Sequence, residues 1–118
     1  MRVLHEGLRE AVAAVEFARR RFTGLDPRGP GPHDSCYAAN QHSFDNEYGL
    51  AQIETAIAFL SDSGLPGSTS SYAAKHQVEQ WGRLNGMAPY VSNGATIVAA
   101  CYLGMKICFD RSGNVLLG

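Results

Sequence analysis

The sequence predicts an α+β fold, about four helices around a buried fourth helix, closed by a C-terminal β-hairpin. Three observations predict it. The stretch Ser92-Asn93-Gly94-Ala95-Thr96-Ile97-Val98-Ala99-Ala100-Cys101-Tyr102-Leu103-Gly104 opens on a helix-capping serine and closes on a glycine, and its side chains are small or apolar on every face. That is the pattern of a helix enclosed by others. Three earlier segments carry apolar residues at helical spacing on one side only. After Gly104 the apolar residues gather in two short runs about a polar turn, so the pattern changes from helix to strand.

Leu4, Leu8, Ala11, Val15, Ala18 and Phe22 recur at steps of three and four, which predicts a first helix over residues 3–22. Arg19, Arg20 and Arg21 fall in its last turn, where cations suit the helix dipole, and Gly24 supplies the stop. The segment 26–32 holds three prolines and two glycines, which excludes regular structure and marks a loop. A second helix starts near Asp45 or Asn46, with Leu50, Ile53, Ile57 and Leu60 on one stripe and Gln52 and Glu54 turned away from it. Ser61-Asp62-Ser63-Gly64 and Pro66-Gly67 end it. Ser68, Thr69, Ser70 and Ser71 offer caps for a third helix that runs to Leu84. Its apolar side is Ala74, Val78 and Trp81. Lys75, Glu79 and Arg83 are four apart on another, solvated face, where Glu79 and Arg83 have the better orientation for an ion pair. Asn85-Gly86 stops this helix, and Met87-Ala88-Pro89-Tyr90-Val91 is an extended link, because a residue before proline avoids the helical region. Ser92 caps the fourth helix. Lys106-Ile107-Cys108-Phe109 and Val115-Leu116-Leu117 then flank Asp110-Arg111-Ser112-Gly113-Asn114 as a hairpin, which must pack on the helices to be stable.

A chain of 118 residues with 45% hydrophobic and 18% charged residues suits a single globular domain spanning 1–118. Its formal net charge of -1 excludes a global field drawing it to nucleic acid or an anionic membrane. Cys36, Cys101 and Cys108 are odd in number and widely spaced, as expected of reduced thiols acting as small hydrophobes. The N-terminus has no apolar signal segment, and no apolar run reaches the roughly 18 residues of a membrane span. The expectation is a cytoplasmic protein with no membrane partner.

Chemistry has few places to sit. His33, Cys36 and His42 are spaced as three soft ligands, but structural zinc takes four, usually in close pairs, so no metal site is assigned. Cys36 with His42 as base, or His76, would be the parts of a small enzyme, because a thiolate needs a nearby imidazole near neutral pH. There is no Gly-rich phosphate loop and no paired-carboxylate arrangement, and no cofactor is expected. Tyr72, Lys75, His76 and Glu79 lie within two turns of the third helix, and a short link joins that helix to the free amides at Ser92-Asn93-Gly94, which attract anions. With the two helices packed as an antiparallel pair, the end of the third helix, not its start, would lie nearest the Ser92 cap.

Ser71-Tyr72-x-x-Lys75-His76-x-x-Glu79, followed by Tyr90-Val91-Ser92-Asn93-Gly94-x-x-Ile97-x-Ala99-Ala100-x-x-x-Gly104, resembles a pattern in small, functionally unassigned bacterial proteins associated with phages and mobile elements. The resemblance covers the third and fourth helices and implies a setting, phage or mobile DNA, rather than a reaction. Without a catalytic motif, the expected function is a non-enzymatic module that binds a macromolecule, foremost a protein, as an inhibitor or accessory factor of phage or mobile-element origin. Its expected binding residues are Tyr72, Lys75, His76, Glu79, Tyr90 and Asn93. The alternative is a DNA-binding regulator of winged helix-turn-helix type, with residues 92–104 in the recognition position and Arg19, Arg20 and Arg21 on phosphates. That recognition helix carries no Arg, Lys or Gln with which to read bases.

Overall fold

The computed structural model describes residues 6–22, 44, 46–65, 67–109 and 115–118. The elements in chain order are α1 (Glu6–Arg21), α2 (Glu47–Asp62), β1 (Thr69–Ser70), α3 (Ser71–Leu84), α4 (Asn93–Tyr102), β2 (Ile107–Phe109) and β3 (Val115–Leu117). Leu4, the loop 26–32, the segment with His33, Cys36 and His42, and the predicted turn 110–114 lie outside the described residues.

Every residue of α4 from Gly94 to Cys101 is buried, as its all-round apolar sequence predicts. α2 packs along it, and α1 and α3 each pack against both members of this inner pair. Gly94, Ala95, Ala99 and Ala100 let the neighbouring backbones approach, while Ile97 and Val98 fill the space between. α1 contributes Leu8, Ala11, Ala14, Val15 and Ala18, a single stripe of mostly small residues. α2 contributes the predicted Leu50, Ile53, Ile57 and Leu60 together with Ala56 and Phe59. Trp81 of α3 is partly buried and meets Phe59 edge to face, with centroids 6.0 Å apart, so it anchors α3 to α2.

Side-chain caps hold the starts of three helices. Asn46 Oδ1 accepts from the Gly49 amide at 2.7 Å, Ser70 Oγ from Ala73 at 3.1 Å, and Ser92 Oγ from Ala95 at 3.0 Å. α4 ends in a Schellman motif: the Met105 amide donates to the Ala100 carbonyl and the Gly104 amide to the Cys101 carbonyl. Gly104 sits there at φ +77°, a conformation that favours glycine.

The predicted hairpin pairs Ile107 with Leu117 and Phe109 with Val115, antiparallel. The sheet gains a third strand. β1 pairs Thr69 with Leu117 and Ser70 with Leu116, so the strand order is β1-β3-β2 and β3 is central. Ser70 thus ends a strand and caps α3 at once, whereas the sequence marks residues 68–71 only as caps. A two-residue strand carries no alternation from which to read it.

The link from Asn85 to Ser92 doubles back along α3, and polar side chains pin it. Arg83 Nη1 donates to the Pro89 carbonyl at 3.1 Å, the Ala88 amide to Thr55 Oγ1 at 3.2 Å, and the Val91 amide to Glu79 Oε2 at 3.0 Å. The Ser92 amide then donates to Gln52 Oε1 at 2.9 Å. Two expectations are corrected here. Gln52 is not turned away but 6% exposed, because it receives the start of α4. The start of α4 also returns beside the start of α3 rather than its end, and Ser71 Oγ lies 2.6 Å from Asn93 Oδ1.

The returning link crosses α3 at Gly82. A Cβ there would meet the Ala88 carbonyl oxygen and lie 3.0 Å from Thr55 Cγ2. Alanine in an exposed helix position stabilises by about 1 kcal/mol over glycine. Gly82→Ala will instead lower stability by about 2 kcal/mol through overpacking, measured by urea unfolding. A stabilised variant would mean that the link does not press on α3.

Candidate functional site

The folding-back of the link gathers all six of the predicted binding residues into one cluster on the N-terminal half of α3. Tyr72, Lys75, His76 and Glu79 occupy adjacent turns of one face, Tyr90 arrives on the link, and Asn93 opens α4 beside Ser71.

Glu79 is at the centre of the cluster. Its Oε2 lies 3.1 Å from Lys75 Nζ and accepts the Val91 amide, and its Oε1 lies 3.1 Å from His76 Nδ1. A carboxylate can only accept, so the contact places a proton on His76 Nδ1. Burial alone would push the Glu79 carboxyl up. The Val91 amide, the Lys75 ammonium and the His76 ring together outweigh burial and hold the carboxyl below its ordinary value. Lys75 and Glu79 are each only 7% exposed, so neither is on a solvated face. Glu79 accordingly pairs with Lys75, not with Arg83, whose guanidinium goes to the Pro89 carbonyl. The sequence signal for this burial was the register of Gly82 with Val78, Lys75 and Glu79, at steps of three and four. A glycine on that line is where the backbone of another segment approaches.

Lys75 Nζ lies 5.4 Å from the Tyr72 ring centroid and 5.1 Å from that of Tyr90, a cation held between two aromatic rings. His76 packs edge-on against Tyr72 with centroids 4.8 Å apart. The outer surface of the cluster is therefore aromatic: Tyr72 is 64% exposed and Tyr90 44%. The charges lie beneath it. Gln52 and Ser71 complete the support and are absent from the sequence-based set. Gln52 was legible as part of a second inward stripe, Gly49, Gln52, Ala56 and Phe59, at helical spacing.

Arg19, Arg20 and Arg21 are exposed on the last turn of α1, with the Arg19 and Arg21 guanidiniums against the Phe44 and Phe17 rings and Arg20 Nε donating to the Glu16 carbonyl. α4, in the recognition position of a winged helix-turn-helix, has no exposed face between Gly94 and Cys101 to lay in a major groove. No hydroxyl or thiol among the described residues is hydrogen-bonded to His76, and none of the described His, Cys, Asp and Glu residues form a group of three able to hold a metal. No helix among the described residues is long and apolar enough to cross a membrane. Comparison with protein families, with curated proteins and with solved structures finds no match.

Removing Glu79 leaves Lys75 buried without a counter-charge and the Val91 amide without an acceptor. Glu79→Ala will cost about 3 kcal/mol or more, and Lys75→Met clearly less, because Glu79 keeps the Val91 amide and His76 in that variant. The order of the two costs, read from chemical denaturation, checks the assignment. A carboxyl with a depressed folded pKa adds stability in full above the unfolded value near 4.5 and loses it as the pH falls through the folded value. Acid titration of stability will therefore show a loss below pH 4.5 that is absent in Glu79→Gln.

Proposed function

We propose that this protein is a non-catalytic binding module whose partner is another protein, and that Tyr72, His76 and Tyr90 form the surface it presents. The observation that carries this reading is the pair of tyrosine rings exposed at 64% and 44% over a buried, hydrogen-bonded ion pair. Tyrosine supplies a large apolar face and a polar tip at low entropic cost, which is why it concentrates at the centres of protein interfaces. Support from below matters as much. Lys75 holds both rings, and Glu79 holds Lys75, His76 and the link that carries Tyr90, so little ordering is left to do on binding. Lys75, Glu79 and Asn93 are thus positioning residues, and the contact residues are the aromatic ones. The resemblance of residues 71–104 to phage- and mobile-element-associated proteins suggests an inhibitor or accessory factor as the form such a module takes.

A photo-crosslinking residue at position 72 tests this in a bacterial lysate, with the same residue at Leu84, 79% exposed on the far end of α3, as control. The expected result is a discrete protein adduct from position 72 that is absent from position 84 and lost with Tyr90→Ser, whose melting temperature stays within a few degrees of the parent. Equal adducts from both positions, no adduct, or an adduct removed by nuclease would overturn the reading.

A further inference from the structure

A separate feature lies where α1 and α4 end. A cleft of about 390 Å³ opens between the last turn of α1 and the corner leading from α4 into β2. Phe22, Cys101, Met105 and Ile107 line it with apolar and sulfur-bearing groups, and Arg21 and Lys106 supply two cations. Cys101 is 4% exposed and forms the floor. Burial pushes its thiol up, and the opposing charge of Arg21 is the smaller effect, so it stands as a neutral, polarisable wall rather than a nucleophile. Phe109, 55% exposed, packs edge-on against Phe22 and extends the apolar side outward.

Among the described residues no carboxylate pairs with Arg21 or Lys106, and the Arg21 guanidinium rests at 5.8 Å over the Phe17 ring, which holds it in place. The C-terminal ends of α1 and α4 contribute about half a negative charge each, so roughly one positive charge remains over the cleft. The volume falls within the range of small-ligand pockets, about 300–1,000 Å³. Four apolar contacts and one net positive charge match a monoanion with a hydrocarbon body. A phosphate dianion would lose hydration against Phe22, Met105 and Ile107 without a second net charge to offset it.

We infer that this cleft binds a small apolar carboxylate, its body against Phe22, Cys101, Met105 and Ile107 and its carboxylate between Arg21 and Lys106. The site involves none of the residues of the tyrosine cluster, and it stands independently of the protein-binding role.

The test uses 1-naphthoate and the neutral 1-naphthalenemethanol as probes, each titrated into the full chain and followed by backbone amide NMR. Naphthoate is expected to shift the amides of Gly104, Met105, Lys106 and Ile107 saturably, with the alcohol binding about tenfold more weakly at the same place. Arg21→Gln combined with Lys106→Gln, both at exposed positions, is expected to bring naphthoate down to the affinity of the alcohol while the amides of α3 stay unmoved. Equal binding of the two probes to the unmodified protein would overturn the inference. So would naphthoate shifts centred on Tyr72 and Tyr90, or no saturable shift up to about 10 mM probe, a range that covers any affinity stronger than about -3 kcal/mol.

Discussion

The hydrogen bond from the Val91 amide to Glu79 is the contact on which the arrangement of the second half of the chain depends. It ties the link to the middle of α3 at 3.0 Å and so brings α4 in beside the start of α3. From that register follow the Ser92 amide on Gln52, Ser71 beside Asn93, and Tyr90 above Lys75. A carboxylate this deeply buried would be strongly destabilising by itself. It is tolerated because both oxygens are occupied, by an ammonium, an imidazole and a backbone amide.

Around this clamp, polar groups are placed only where apolar packing cannot satisfy the backbone. α4 needs small residues because neighbours close on it from every side. The link, by contrast, is a nonhelical segment run over a helix, and after Met87, whose amide donates to the Gly82 carbonyl, its amides have no backbone partner among the described residues. Thr55, Glu79 and Gln52 provide acceptors at successive points along it. Among the described residues no buried side-chain nitrogen or oxygen is left without a partner, so the polar network is complete and rigid. Such a base can hold Tyr72 and Tyr90 in fixed positions at the surface.

The helices were legible because each announces itself locally. The stripe Leu8, Ala11, Val15 and Ala18, the stripe Leu50, Ile53, Ile57 and Leu60, and the caps Ser70 and Ser92 need no knowledge of the rest of the chain. Tyr72, Lys75, His76 and Glu79 were also legible as a group from their spacing on one helix, whereas the expected pairing of helices set Asn93 by the far end of α3. The internal order of that group was not legible. Lys75 and Glu79 read as a solvated pair because charged residues rarely lie in a core, and the one local sign of a segment laid over them is Gly82 in register with both. Gln52 has a polar side chain that conceals its place in the inward stripe Gly49, Gln52, Ala56 and Phe59, and β1 was too short to have a period of its own.

The α+β class, the helices, their apolar faces and the enclosure of α4 follow from side-chain periodicity and capping within a few residues. The direction in which α4 returns, the choice of Lys75 over Arg83 by Glu79, the burial of Lys75 and the third strand arise when the elements pack together. They rest on distant contacts, such as Glu79 with Val91, Gln52 with Ser92 and Thr69 with Leu117. Local propensity carries no information about which of several distant donors will reach a given buried acceptor. That choice is made by whichever packing leaves no buried polar group unpaired.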